Sequence, residues 1–514
     1  MEHASRVAAT PVFLPFAAAL LPIVLIYSAN TSSASPALLV LPIAVTFTVA
    51  GILWLVLRPV LRDRHKIAIA IALFYFWLFS FASYAYLVDR LSVVGLALPL
   101  RYLLLSWGII YLLLLILIVN SSATSLVLLT RLLNGAMLAA LVVSAFSVAR
   151  AYLPYSGPTP IDPGLSVGAS ASASQPDIYY IILDAYARQD VLATLYDYDN
   201  SEFLQALQRM GFYIAEGSRA NYSLTHLSLA SSLNMRHLHD LVGANDDISW
   251  ASTVVIDLLQ KNQVLRFLKD RRYTFVSFAT GFYPTEMPQA DIYLAPPVNL
   301  TDFHAALFRQ TPLSVAWNAL PRSPYDLHRE RVLFVLDRLA DLPQDPHPLF
   351  VFAHLVSPHR PFVFGPYGEP LAEAKAFTLE DAVGDFSHAE YVRRYRDQVA
   401  FLSRRLLLTL EAILARSSAP PIIIVQSDHG PPSLTDWEHP AKTNFQERMA
   451  ILNALYLPGE GAKRLYRDMS PVNTFRIILQ HYYGATMTLA PDTSYFSTPQ
   501  DPHNFMDVTL RLDQ

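Results

Sequence analysis

The sequence predicts a transmembrane N-terminal domain of five helices, followed by an α/β domain with a mainly parallel central sheet. Five long apolar runs fill the first 150 of the 514 residues. A stretch rich in Pro, Gly, Ser and Ala follows, and beyond it apolar strands alternate with helices. We therefore divide the chain into a transmembrane domain at 1–150, a flexible linker at 151–176 and a second domain at 177–514.

The apolar runs are each close to the roughly 20 residues that a helix needs to cross a bilayer. Little positive charge precedes the first run and four more runs follow it, which favours a membrane helix over a cleaved signal peptide. The alternative, buried helices of a soluble protein, is disfavoured because such runs rarely occur in series in soluble cores. The runs lie at 11–29, 37–57, 67–87, 102–119 and 132–149.

The loop between the second and third runs indicates the orientation. It contains Arg58, Arg62, Arg64 and Lys66, and Asp63 is its single acid. Positively charged loops stay in the cytoplasm. With five spans and the N-terminus inside, we expect everything after the fifth run to lie outside the cytoplasmic membrane of a bacterium.

The second domain is predicted to be α/β because apolar strands and helices alternate along it. Ligands of such sheets bind beyond the carboxyl ends of the strands. The predicted strands are 177–183, 212–215, 273–278, 349–354 and 421–426, and the predicted helices are 201–210, 254–269, 331–340 and 389–416.

Polar side chains stand at three of these strand ends. Asp184 follows the first strand, His354 ends the fourth and His359 lies beyond it, and Asp428 and His429 follow the last. One Asp after a strand is commonly a helix cap, whereas an adjacent Asp-His pair is less easily explained by structure alone. Two carboxylates and an imidazole are ligands suited to a divalent cation such as Zn²⁺ or Mn²⁺.

A hydroxyl group is also predicted near this edge of the sheet. Thr225 lies where a turn should lead into a Ser-rich helix. It is either a helix N-cap or a nucleophile, since a helix N-terminus favours anions and a hydroxyl beside a metal can attack a phosphorus or sulfur centre. Ser223 and Ser228 are the competing hydroxyls.

These motifs occur in the order seen in the alkaline phosphatase superfamily. They are the strand ending in Asp184, the Thr225 turn, Ser-Pro-His-Arg-Pro-Phe at 357–362 and Ser-Asp-His-Gly at 427–430. Together with the membrane runs, the chain resembles membrane-anchored sulfatase-like enzymes such as lipoteichoic acid synthases and phosphoethanolamine transferases. The resemblance extends from the membrane spans to about residue 460.

The resemblance implies roles for individual residues. Thr225 corresponds to the nucleophile, and His359 to a histidine that contacts the transferred group. His354 and His439 are further candidates for substrate contact, although His354 fits a core position, or a position that supports the metal ligands, equally well. The implied ligands of one divalent cation, Mn²⁺ or Zn²⁺, are Asp184, Thr225, Asp428 and His429, which should converge although the first and the last are 245 positions apart.

The absence of cysteine limits the chemistry. It excludes disulfide scaffolds, Cys nucleophiles and thiolate metal sites. No Ser stands in the sequence context that sulfatases convert to formylglycine, which argues against sulfate ester hydrolysis by that route. The resemblance also covers Glu447 and Arg448, to which we assign no chemistry. Nothing resembles the basic face of a nucleic-acid-binding protein.

The function implied by the resemblance is transfer of a phospho-head group from a membrane phospholipid to a glycan or lipid of the cell envelope, through a covalent threonine intermediate. Two alternatives stay open. With water as the acceptor, the chain would be a phosphoester or phosphodiester hydrolase. It could also be a pseudoenzyme that only binds envelope glycans or partner proteins.

Overall fold

The computed structural model describes residues 13–29, 36–92, 99–151, 175–242, 252–316, 322–342, 346–371, 377–379 and 386–512. The chain forms two compact units. The first comprises Met1–Pro154 and Leu300–Ser323, and the second comprises Tyr155–Asn299 and Pro324–Gln514. Most of the predicted linker, 152–174, lies outside the described residues.

The first unit is built from apolar helices, and the count of five spans is not confirmed. Within the described residues, three helices are long and apolar enough to cross a membrane. A fourth span results if α3 and α4, which are bent by 52° at their junction, count as one; α1, with 16 described residues, is shorter. The helices are α1 (Leu14–Ala29), α2 (Val40–Leu61), α3 (Arg64–Phe79), α4 (Phe81–Ser92), α5 (Leu100–Asn120) and α6 (Ala123–Ala151).

A seven-stranded sheet is the centre of the second unit, and its order is β2-β7-β6-β1-β5-β3-β4. Five strands are parallel, whereas β7 runs antiparallel to both of its neighbours. The predicted mainly parallel sheet is therefore present. The strands are β1 (Ile178–Leu183), β2 (Tyr213–Ile214), β3 (Thr274–Phe278), β4 (Ile292–Leu294), β5 (Leu349–Leu355), β6 (Ile422–Gln426) and β7 (Asn453–Tyr456), with a small pair β8 (Tyr495–Phe496) and β9 (Met506–Asp507).

Helices cover this sheet, and two differ from the prediction. The expected helix 254–269 is divided because the side chain of Asn262 accepts a hydrogen bond from Leu265 N at 2.7 Å and starts a new helix. The helix expected at 331–340 begins earlier, at Pro324. The helices of this unit are α7 (Gln189–Leu195), α8 (Ser201–Arg209), α9 (Thr225–Asn234), α10 (Leu238–Val242), α11 (Ser252–Gln260), α12 (Gln263–Lys269), α15 (Pro324–Arg338), α16 (His388–Arg416), α17 (Phe445–Met449) and α18 (Pro471–Tyr483). Between α12 and α15 the chain forms α13 (Asp302–Arg309) and α14 (Leu313–Ala316).

The short helices α13 and α14 belong to the first unit although they lie far along the chain. Phe303 and Leu307 of α13 are buried in one apolar cluster with Ile23 and Tyr27 of α1. The rings of Tyr27 and Phe303 meet edge to face at 6.0 Å. The pattern of apolar runs did not predict this packing.

The register of the sheet brings three strand ends together. Ile182 of β1 pairs with His354 of β5 on one side and with Gln426 of β6 on the other. Since all three strands are parallel, the residues that follow them emerge at one edge. Polar groups at this edge are therefore held by the most buried strands of the unit.

Candidate active site

Asp184 lies directly after β1 and is only 2% exposed. The next residue, Ala185, has a φ of +63°, a left-handed conformation that is uncommon for a side chain other than glycine. This turn directs the Ala185 N–H to Oδ1 of Asp428 at 3.3 Å. The backbone strain is thus located where the two carboxylates approach each other.

Asp428 and His429 follow β6 and are each 1% exposed. His429 donates from Nδ1 to the carbonyl of Gly430 at 3.0 Å, because a carbonyl oxygen can only accept. In the neutral ring Nε2 then carries the lone pair, and this atom lies 3.4 Å from Oδ2 of Asp428 and 3.7 Å from Oδ1 of Asp184. Position 430 must be glycine, since a Cβ on Gly430 would lie 1.9 Å from the carbonyl oxygen of Glu447.

His354 joins this cluster, for which the sequence had left open a substrate contact, a core position or a position that supports the metal ligands. Its Nε2 lies 3.2 Å from Oδ2 of Asp184. Its Nδ1 lies 2.8 Å from the hydroxyl of Thr285, which itself donates to Phe282 O or to Thr280 Oγ1. With its Nδ1 proton donated to Thr285, the neutral ring would present the lone pair of Nε2 to a cation beside Asp184.

Thr225 is the first residue of α9, and the N-cap is Leu224 rather than Thr225. The Oγ1 of Thr225 lies 3.0 Å from Nε2 of His429. The two competing hydroxyls are engaged elsewhere: Ser223 donates to Ser497 O at 2.8 Å, and Ser228 donates to Asp428 O at 2.7 Å. Thr225 is thus the hydroxyl of this turn that faces the cluster.

His359 lies beside the same cluster on the loop after β5, in which the peptides before Pro358 and Pro361 are cis. The backbone N–H of His359 donates to the backbone carbonyl of Asp184 at 2.9 Å, and the centroid of its ring is 6.4 Å from that of His429. Its Nδ1 donates to the carbonyl of Arg360. The buried amide of Gln398, on α16, donates to the carbonyls of Pro358 and His359, each at 3.1 Å.

His439 does not belong to the buried cluster. Its side chain is 60% exposed and lies 3.4 Å from Asp436. Glu447 is fully buried and accepts hydrogen bonds from Tyr196 OH at 2.6 Å and Leu434 N at 2.7 Å. Burial raises the pKa of Glu447, and its hydrogen bonds oppose part of this rise.

The cluster has the donor set of a metal site. One ligand atom each of Asp184, His354 and Asp428 lies within 4.8 Å of the others. Asp184 Oδ1, His354 Nε2 and Asp428 Oδ2 are buried and have no hydrogen-bond partner among the described residues. Two buried carboxylates at this separation repel each other unless a cation offsets their charge. The residues therefore fit a divalent cation bound by nitrogen and oxygen.

Comparison with known proteins gives similarities of fold. No family model and no curated sequence matches the chain. Among solved structures, the C-terminal periplasmic domain of EcEptC from Escherichia coli, in complex with Zn, matches at 14% identity over 67% of this chain and 96% of its own, with a TM-score of 0.44. Lipooligosaccharide phosphoethanolamine transferase A from Neisseria meningitidis, an integral membrane protein, matches at 12% identity over 90% and 94%, with a TM-score of 0.40. Phosphonate monoester hydrolase of Agrobacterium radiobacter matches at 13% identity over 65% and 79%, with a TM-score of 0.40.

Proposed function

We propose that the chain is a metal-dependent enzyme that transfers a phospho-head group from a membrane phospholipid to a glycan or lipid of the cell envelope. One observation carries the proposal. Three buried residues converge beside a hydroxyl–imidazole pair, Thr225 and His429, and each of the three has a ligand atom with no hydrogen-bond partner in the described part of the chain. Such a group of residues is suited to attack by a hydroxyl on a phosphorus centre.

The cation would be held by Asp184, His354 and Asp428, with His429 and Thr225 within reach of the same site. The donors favour Zn²⁺ or Mn²⁺. When bound, the cation supplies positive charge that favours ionised Thr225 and offsets the charge of the phosphoryl oxygens. Thr285 and Gly430 orient the two imidazoles so that each presents the Nε2 lone pair to the site.

Thr225 would form a bond from Oγ1 to the phosphorus of the donor, while the bond from phosphorus to the lipid oxygen breaks. Its position at the start of α9 supports this role, because the first turn of a helix favours negative charge. His359 would hold the transferred group or protonate the departing oxygen. A hydroxyl oxygen of the acceptor then bonds to the phosphorus while the bond from phosphorus to Oγ1 of Thr225 breaks, and the proton of that hydroxyl passes to Oγ1.

The apolar helices of the first unit support a location in the cytoplasmic membrane, where lipid donors are concentrated. The positive loop around Arg62 supports an extracytoplasmic second unit. A reporter that is active only outside the cytoplasm, fused after residue 176, should be active. Activity of a cytoplasm-only reporter at this position would contradict the topology.

Mass spectrometry tests the reaction. Full-length protein in detergent is incubated with membrane lipids and Zn²⁺ or Mn²⁺, and the peptide that contains Thr225 is examined for added mass. We expect an adduct whose mass identifies the transferred group, and none in Thr225→Ala. Release of the head-group phosphate without an added acceptor would favour hydrolysis. A wild-type chain that binds no divalent cation would favour the pseudoenzyme.

A further inference from the structure

The guanidinium group of Arg448 is fully buried and bridges two separate loops. Its Nε and Nη2 both donate to the carbonyl of Ser223, at 2.9 and 2.6 Å. Its Nη1 donates to the carbonyl of Gly430 at 2.9 Å. The fork of the guanidinium thus spans carbonyl groups that are 207 positions apart in the sequence.

These two carbonyls support both members of the Thr225–His429 contact. Ser223 precedes Leu224, the N-cap of α9, so its carbonyl helps to set where the helix and Thr225 begin. The carbonyl of Gly430 also accepts the Nδ1 proton of His429, so it helps to set the tilt of that imidazole. Arg448 therefore reaches the backbone supports of Oγ1 and Nε2, which lie 3.0 Å apart.

Arg448 is itself held firmly. The N–H of Gly430 donates to its carbonyl at 2.7 Å, and the side chain of Asn444 accepts from Glu447 N at 3.0 Å to cap α17. The ring of Trp437 lies 5.1 Å from the guanidinium carbon. A buried side chain with these contacts has little freedom, so it can fix the distance between the loops that it bridges.

We propose that Arg448 is a positioning residue, which holds the hydroxyl of Thr225 and the imidazole of His429 at their working separation. The proposal rests on the transfer reaction proposed above for the catalytic step. This role depends on the geometry of the guanidinium, which a lysine cannot reproduce. A lysine keeps the charge but presents one compact ammonium in place of the planar fork.

The test compares Arg448→Lys and Arg448→Gln with Arg476→Lys in the full-length chain. Arg476 is a matched control because its Nε donates to Met235 O at 2.7 Å. Met235 is the C-cap of α9, whereas Arg448 contacts the chain just before the N-cap of α9. Three properties are measured: melting temperature of the metal-free protein, the absorption spectrum with Co²⁺ as the probe, and kcat and KM for a lipid donor. Co²⁺ reports the coordination without any turnover.

We expect both Arg448 variants to lose about 100-fold in kcat with KM changed less than about threefold, because small displacements of a reacting group cost this much. Their Co²⁺ spectra should differ from the wild-type spectrum, whereas Arg476→Lys should match the wild type in kcat and in the Co²⁺ spectrum. A wild-type chain that binds Co²⁺ but turns over no lipid would contradict the transfer reaction alone, and an altered spectrum of the Arg448 variants would still support positioning.

Two results would overturn the role of Arg448. One is an unchanged Co²⁺ spectrum in both variants. The other is a melting temperature more than about 10 °C below the wild type in both, a shift that corresponds to several kcal/mol of lost stability. In that case Arg448 would stabilise the whole unit rather than the two loops.

Discussion

Nε2 of His354 lies 3.2 Å from Oδ2 of Asp184, and both atoms are buried at the carboxyl edge of the sheet. Asp428 contributes a third ligand atom within 4.8 Å of these two residues. Because β1 lies between β5 and β6, the three side chains come from neighbouring strands. The geometry of the candidate metal site is therefore a property of the strand order.

Asp184→Asn should weaken binding of Zn²⁺ and Mn²⁺ by more than about 100-fold, because loss even of an outer-shell partner of a ligand typically costs 10- to 100-fold. Isothermal titration calorimetry measures the affinity. Asp190→Asn is the matched control, since its side chain is 41% exposed and pairs with Arg188. Equal affinities in wild type and Asp184→Asn would remove Asp184 from the ligand set.

Thr285→Val should weaken metal binding by about 10- to 100-fold while the ligands themselves stay in place. The valine keeps the shape of the side chain but removes the hydroxyl that Nδ1 of His354 contacts. Thr409→Val, which removes a buried hydroxyl bonded to Leu336 O on another part of the unit, should leave the affinity unchanged. An equal loss in both variants would indicate general destabilisation.

Thr225→Ala should reduce turnover by several orders of magnitude at a nearly unchanged melting temperature, because the Thr225 hydroxyl is the proposed nucleophile. Ser223→Ala should show the reverse behaviour. It removes hydrogen bonds to and from Ser497, at a cost of about 1 kcal/mol in stability, and should retain turnover. The nucleophile assignment is wrong if only Ser223→Ala loses turnover.

Acidification should destabilise the chain partly through His328, which is 1% exposed and hydrogen-bonded to Val356 O. Burial lowers the pKa of His328 from 6.5 to about 3. The unfolded chain therefore binds one more proton between these values, so the free energy of unfolding falls as the pH drops below about 6.5, by up to about 1.4 kcal/mol per pH unit. In His328→Gln, melting curves between pH 6 and 5, recorded with chelator, should show a shallower dependence.

Cutting the chain at a protease site inserted within 152–174 should not release the second unit from membranes. The segment Leu300–Ser323 continues into that unit at both ends, while Phe303 and Leu307 pack against α1. Substituting both residues with Ser should allow release after cleavage, because about 2 kcal/mol of apolar burial is lost at each position. Sedimentation of the cut membranes, with the uncut variant as control, measures the difference.

Several features follow from patterns that are local in the sequence. Apolar strands ending in Asp184 and in Asp428-His429 predicted a parallel sheet and the edge where the polar groups lie, and the sheet has this form. The Ser-rich turn predicted a helix that begins at Thr225. These predictions succeed because strand ends and helix starts depend on neighbouring residues.

The tertiary structure decided the rest. Which hydroxyl faces the cluster depends on Ser497, more than 270 positions from Ser223 and Thr225. The approach of His354 to Asp184 depends on the pairing of β5 with β1, and the bridge made by Arg448 depends on where α17 lies against two distant loops. No periodicity along the chain encodes such relationships, because they arise from packing between segments that are hundreds of residues apart.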